Sequence, residues 1–146
     1  MQTPSYAIVA FLMGATLSVY LPMNSSASRY LGSSMAASAA FFVVATITSI
    51  LIMAFGGESH CLGRLKTVPV YLHTAGIISA FFIVGTTFLI PKVGARPFFI
   101  LLVSGQILMA MVVSHFGILE SPQDPVTVKK MLAATLVIAG AVLSAT

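Results

Sequence analysis

The chain has 146 residues, of which 58% are hydrophobic and only 7% are charged. A soluble domain carries about a quarter charged residues, because water must wet its surface. Seven basic and three acidic side chains are too few for that surface. The composition therefore excludes a soluble enzyme, a disordered tail and a nucleic-acid-binding protein, and it predicts an integral membrane protein.

Charged residues divide the chain into five uncharged segments, which we interpret in chain order as membrane-spanning helices. The predicted helices cover residues 6–22, 35–55, 68–90, 97–119 and 130–145. Their lengths approach the roughly 20 apolar residues that cross a hydrocarbon core of ~30 Å. We expect Pro22, Gly56-Gly57 and Pro91 to end the first three helices, and Pro97 to begin the fourth. The sequence predicts an all-α membrane protein with a single transmembrane domain, residues 1–146.

Basic residues in the loops bear on how the chain is oriented in the membrane. With five spans they divide almost evenly: Arg64, Lys66, Lys129 and Lys130 on one side, and Arg29, Lys92 and Arg96 on the other. A protein with one fixed orientation normally has a clear cytoplasmic excess of Lys and Arg. Two interpretations remain open. In the first, the charge bias of a small protein is simply weak, or a partner fixes the orientation. In the second, the chain inserts both ways and forms an antiparallel homodimer.

Neutral polar side chains and histidines are the candidates for function inside the membrane, because the interiors of the predicted spans carry no Asp, Glu, Lys or Arg. In the fourth helix, Gln106, Ala110 and Ser114 recur every four residues and share one helical face. This stripe fits either close helix packing or the lining of a cavity. His73 and His115 lie nearer to helix ends, where an imidazole can bond water or a lipid headgroup.

Other chemistry finds little support in the sequence. Cys61 stands beside His60, and two ligands are too few for a metal site. There is no glycine-rich phosphate loop, no Ser–His–Asp set with usable spacing and no pair of carboxylates. We therefore expect no catalytic residue, no metal site, no cofactor and no enzymatic activity. Since five helices can hardly enclose a polar path, we expect two copies of the chain around a shared cavity.

Several short motifs occur together along the chain. They are Asn24 followed by Leu31-Gly32-Ser33, then Pro91-Lys92-Val93-Gly94-Ala95, Gly105-Gln106, and His115-Phe116-Gly117 before a glycine-bearing fifth helix. In this order, and over nearly the whole chain, the sequence resembles the YdcZ-type five-helix branch of the drug/metabolite transporter (DMT) superfamily. The family pattern usually has an Asp directly before His-Phe-Gly, where this chain has Ser114. Ser114 has no carboxylate, so a role of that Asp in proton coupling or cation binding is not carried over to this chain.

The resemblance implies a five-transmembrane-helix bundle equivalent to one half of a ten-helix transporter built from inverted repeats. It implies a multi-pass protein of the bacterial inner membrane, surrounded by lipid and completed by an antiparallel copy of itself. It also implies that Asn24 and Gln106 are the polar groups nearest the central cavity, with His115 near its mouth. From their helix positions we add three further substrate-binding candidates, Tyr20, His73 and Ser114.

These expectations together describe a transporter of small molecules that works as a dimer by alternating access. Without a buried carboxylate, the substrate is expected to be neutral or amphipathic rather than a multiply charged cation. The alternative is a non-transporting membrane subunit or a lipid-binding scaffold that assists a partner.

Overall fold

The structure, a computed structural model, describes residues 4–145. Within these residues five α-helices follow one another: α1 (Pro4–Leu31), α2 (Ser34–Phe55), α3 (Thr74–Val93), α4 (Ala95–Phe116) and α5 (Val128–Ala145). Three 3₁₀ helices lie in the loops, at Ser59–Thr67, Val70–His73 and Ile118–Glu120. Together with the apolar composition of the helices, this architecture confirms the predicted all-α membrane protein.

Four helical segments within the described residues are long and apolar enough to cross a membrane, namely Ser5–Leu31, Ser34–Phe55, Val70–Val93 and Ala95–Phe116. Large apolar side chains on them, such as Phe11, Phe55 and Phe81, are exposed, as expected of surfaces that meet lipid tails. The 18-residue α5 begins Val128-Lys129-Lys130 and is not one of the four. That α5 also crosses the membrane stays a prediction.

Helix α1 is longer than predicted, because Pro22 lies inside it and does not end it. Proline removes the hydrogen bond to the carbonyl four residues earlier. Membrane helices tolerate this loss where neighbouring groups satisfy the freed backbone. The helix continues to Leu31, and Gly32 follows with a φ of 66°. The expected end at Pro22 is wrong, and Asn24 is consequently a helical residue.

The boundaries of α3 are also shifted from those predicted. The helix begins at Thr74 rather than Val68, because the four residues before it, Val70–His73, form a 3₁₀ helix. At the other end α3 passes through Pro91 and stops at Val93. The expected end before Pro91 is therefore wrong by about one turn.

The start of α2 and the end of α4 are fixed by local capping groups. The Ser33 hydroxyl accepts a hydrogen bond from the amide of Ala36 at 3.2 Å, and α2 runs from Ser34 to Phe55, as predicted within one residue. In contrast, α4 ends at Phe116 and not at the expected Leu119. Gly117 adopts a left-handed conformation with a φ of 62°, which terminates the helix.

The chain divides into two compact units, one containing α1–α3 and ending at Lys92, the other containing α4 and α5 and beginning at Val93. In the first unit α1 packs along α2, with Leu21 and Ala37 fully or almost fully buried. In the second unit α4 packs along α5, where Phe98, Ala134 and Ala141 are buried.

Candidate functional site

A buried hydrogen bond joins α1 to α3. The side-chain amide of Asn24 donates through Nδ2 to the Thr87 hydroxyl at 2.7 Å, and that hydroxyl in turn donates to the Ile83 carbonyl at 2.7 Å. Asn24 is 8% exposed and Thr87 is completely buried. One N–H of Asn24 is thereby used to hold two helices together, while its Oδ1 and second N–H remain available to other partners.

Further polar side chains are buried on the same two helices, and their hydroxyls bond to their own backbone. Ser28 donates to the Ser25 carbonyl at 2.7 Å, and Thr86 donates to the Ile83 carbonyl at 2.9 Å. Such local bonds satisfy a hydroxyl without linking helices. Among these buried groups, Asn24 and Thr87 therefore make the bond between helices.

A groove of about 610 Å³ lies along α1 and α2. It is lined by Tyr20, Met23, Asn24, Ala27, Ala37, Ala40, Phe41, Val44, Ala45, Thr48 and Ser49. The alanines keep the groove open, because their methyl side chains are small. The Thr48 and Ser49 hydroxyls donate to carbonyls of α2, at 2.8 Å each. The groove is thus a mostly apolar surface with a few neutral polar groups and no charged side chain in its lining.

Aromatic side chains form one wall of this groove. The Tyr20 ring stacks on Phe41 with centroids 5.9 Å apart and an angle of 14° between the planes. Phe41 also meets Phe42 edge-on at 5.3 Å. Paired rings favour fixed offset or edge-to-face arrangements. Tyr20 and Asn24 lie one helical turn apart and face the same groove.

The polar candidates on α4 have different surroundings. Gln106 is exposed, and no hydrogen bond joins its side chain to any described residue. Ser114 instead lines a smaller pocket of about 280 Å³, together with Ala110 and residues of the loop after α4. The predicted stripe is therefore divided, because Ala110 and Ser114 share this pocket and Gln106 does not line it.

The loop after α4 folds back onto the end of the helix. The Asp124 amide donates to the Ser114 carbonyl at 2.9 Å, and the Val126 amide donates to Nδ1 of His115 at 3.1 Å. Lys130 donates to the Asp124 carboxylate and to the Pro125 carbonyl. His115 thus holds a loop in place, and its imidazole is stacked edge-on against Phe116 at 4.8 Å.

His73 lies apart from these groups, exposed at the end of the Val70–His73 3₁₀ helix. Of the six predicted substrate-binding residues, the structure brings Tyr20 and Asn24 to one groove. It places Ser114 and His115 at the end of α4, and Gln106 on the exposed surface of that helix.

Two residues of the groove region were not predicted from the sequence. Thr87 positions Asn24, and Phe41 stacks on Tyr20. A pair of threonines, Thr86-Thr87, inside an otherwise apolar helix was the available signal, because hydroxyls at membrane depth must find a hydrogen-bond partner.

Comparison with known proteins identifies the family of this chain. Residues 5–143 match the family described as "Putative inner membrane exporter, YdcZ". No curated protein and no solved structure matches the chain. The match covers almost the whole length and agrees with the apolar spanning helices, which makes this a multi-pass protein of the inner membrane. The chain belongs to the YdcZ-type family of the DMT superfamily, a family of membrane exporters.

Proposed function

We propose that the chain exports a neutral or amphipathic small molecule, which binds in the groove along α1 and α2. One observation carries this proposal: the groove of about 610 Å³ combines an apolar lining, a stacked Tyr20–Phe41 pair and a buried, helix-anchored Asn24. Ligand sites are typically apolar clefts of roughly 300–1,000 Å³ with a few placed polar groups. The groove has this composition and this size.

The substrate class follows from the charges near the groove. Its lining contains no Asp, Glu, Lys or Arg, so a multiply charged solute would leave water without gaining an ionic partner there. An amphipathic molecule could instead place its apolar part against Phe41 and Val44 and hydrogen-bond with Asn24. We propose no enzymatic step, because recognition by an amide, a phenol and alanines requires none.

We further propose that the working unit is an antiparallel homodimer. Two helices line the groove along only part of its circumference, so a second surface is needed to close it. Gln106 supports this proposal, since an exposed amide at membrane depth gains from a hydrogen-bond partner on another helix. The nearly even division of loop charges also supports it, because antiparallel pairing requires insertion in both orientations.

Alternating access would then arise as in transporters with inverted repeats. In such proteins the binding site lies at the interface of the repeats, and one repeat moves against the other to expose it to either side. Each copy of this chain would supply one repeat. The same groove would face the two sides of the membrane in turn.

A ligand screen followed by a transport assay tests the site. Purified dimer is screened by thermal unfolding against neutral, zwitterionic, cationic and anionic solutes. A solute at 100 times its Kd should raise the stability by about 2.7 kcal/mol. We expect hits among neutral and amphipathic solutes, and we expect proteoliposomes to export them. Stabilisation by phospholipid alone, with no solute exported, would favour a lipid-binding scaffold.

A matched pair of variants separates the groove from general damage. Ala40 lines the groove, whereas its neighbour Ala39 is exposed on α2 outside it. Ala40→Phe should fill the groove and abolish both ligand stabilisation and export. Ala39→Phe should preserve both. Equal loss in the two variants would contradict the proposed site.

Orientation in the membrane tests the dimer independently. A reporter fused to the C-terminal end of the chain should be detected on both sides of the inner membrane. Detection on one side alone would contradict the antiparallel homodimer, while leaving the groove and its substrate class to be judged by the export assay.

A further inference from the structure

The loop between α2 and α3 contains a nine-residue 3₁₀ helix, Ser59–Thr67, with the sequence SHCLGRLKT. Hydrogen bonds between residues three apart hold this region, such as Cys61 N–H to the Glu58 carbonyl at 2.9 Å and Val68 N–H to the Leu65 carbonyl at 3.2 Å. Runs of 3₁₀ helix longer than about four residues are uncommon. This 3₁₀ helix is therefore unusually long.

A 3₁₀ helix has three residues per turn, so side chains three positions apart are eclipsed and the helix has three faces. Leu62 and Leu65 fall on one face. His60 and Lys66 fall on the second face, and Arg64 falls on the third. The helix is consequently amphipathic, with an aliphatic edge beside two basic edges.

The aliphatic edge is not buried within the chain. Leu62 is 50% exposed and Leu65 is 53% exposed, and the helix has no buried residue. The following 3₁₀ helix continues this character, since Val70 and Tyr71 are 84% and 63% exposed. Leu62 and Leu65 are thus exposed outside the spanning segments, shortly before the segment Val70–Val93 begins.

Both ends of the loop are fixed to the membrane. It leaves α2 after Phe55 and joins the spanning segment Val70–Val93. A connection of this length cannot move far from the bilayer surface, so headgroups are the nearest available partner. The loop carries Arg64 and Lys66 against a single acidic residue, Glu58. Its charge complements an anionic surface.

We propose that residues 58–69, called here the interfacial segment, bind anionic phospholipid. Leu62 and Leu65 lie at the boundary between headgroups and acyl chains, and Arg64 and Lys66 pair with lipid phosphates. Amphipathic helices with Lys and Arg on the polar face bind membrane surfaces through these two contributions. The segment anchors the α2–α3 connection to one leaflet and takes no part in the groove.

Site-directed spin labelling of the full chain tests the position of the segment. In a Cys61→Ser background, single cysteines are introduced at each of residues 60–67 and labelled in proteoliposomes containing phosphatidylglycerol. Collision with oxygen reports lipid, and collision with a water-soluble nickel chelate reports solvent. The ratio of the two should peak at Leu62→Cys and Leu65→Cys. Uniformly high accessibility to nickel, without a three-residue period, would overturn the proposal.

Removal of charge tests the lipid class. Each basic residue near an anionic membrane surface favours binding to it. The double variant Arg64→Gln with Lys66→Gln should therefore lower the ratio of membrane-bound to unbound segment by about 30-fold. The control Lys92→Gln with Lys129→Gln removes two charges elsewhere and should leave the label at position 62 unchanged. Equal insertion of the unaltered segment into pure phosphatidylcholine vesicles would overturn the role of the phosphate contacts. Size-exclusion profiles identical to that of the parent protein show that each variant is folded.

Discussion

The two units of the chain treat their polar side chains differently. The α1–α3 unit buries Asn24 and Thr87 and joins them across two helices at 2.7 Å. The α4–α5 unit exposes the amide of its spanning helix α4, Gln106, and buries Phe98, Ala134 and Ala141. Both units have similar apolar composition. What distinguishes them is whether the side-chain amide on a spanning helix finds a hydrogen-bond partner within its own unit.

This difference indicates what each unit contributes. A buried interhelical bond between side chains specifies how α1 and α3 are placed, and therefore the position of an amide at the groove. An exposed amide on a spanning helix contributes little to the folding of its own unit and is available for contact with another chain. This agrees with the roles proposed above, in which the first unit binds the substrate and the second contributes to association.

The largest expected effect is loss of the bond within the first unit. Thr87→Val keeps the shape of the side chain but leaves the Asn24 N–H buried without an acceptor, which should cost about 1–3 kcal/mol of unfolding free energy. Unfolding in a detergent titration measures it. Thr86→Val is the control, because the Thr86 hydroxyl bonds only within α3. Equal losses in both variants would remove the basis of the comparison.

The second effect concerns the turn that closes α4. Gly117→Ala should destabilise the chain by about 1–2 kcal/mol, because an L-residue is strained in the left-handed conformation. The added Cβ would also lie 2.6 Å from Cγ of Gln123. Adding Gln123→Ala should recover only the part due to this overlap. Gly140→Ala, whose Cβ would meet nothing within 4 Å, should be neutral or stabilising in the same thermal unfolding assay.

A smaller effect should appear only in association. Gln106→Leu should leave the unfolding free energy within about 0.5 kcal/mol of the parent protein, because the side chain is exposed. Dimer affinity should fall about threefold, equivalent to one average hydrogen bond between membrane helices. Single-molecule photobleaching or energy transfer in liposomes measures this. Thr135→Val, exposed and bonded only to the Met131 carbonyl, should not change the affinity.

The smallest effect is expected for the ion pair in the loop after α4. Lys130→Gln removes the contact with Asp124, whose side chain is 69% exposed. Exposed pairs contribute about 0.2–1 kcal/mol and are weakened by salt. The difference from the parent protein should therefore vanish at high ionic strength. A salt-independent loss would mean instead that the bond to the Pro125 carbonyl dominates.

Local signals made some of this architecture predictable from the sequence. The uncharged segment and the Gly56-Gly57 pair predicted α2 almost to the residue, and the Ser33 cap was found only in the structure. Proline was the misleading signal. Pro22 and Pro91 were expected to end helices and instead lie inside them. In a membrane the helix is strongly favoured over irregular backbone, so one lost hydrogen bond does not suffice to end it.

The environment of the candidate residues was less predictable than the helices. Asn24 was selected through the family resemblance, and Tyr20 was selected from its helix position. Thr87 could not be assigned to Asn24, since the two are 63 residues apart and the sequence does not specify which faces of α1 and α3 meet. For the same reason the outward position of Gln106 could not be distinguished from an inward one.

The direction of the hydrogen bonds at Thr87 determines the polarity of position 24. Because the Thr87 hydrogen is donated to the Ile83 carbonyl, the hydroxyl oxygen can only accept from residue 24. Asn satisfies this requirement with an N–H. A carboxylate in place of Asn24 would put a second hydrogen-bond acceptor next to the Thr87 oxygen. This could be avoided only if Thr87 donated to the carboxylate instead of to the Ile83 carbonyl. The arrangement therefore disfavours an anion at the wall of the groove and keeps that wall electrically neutral.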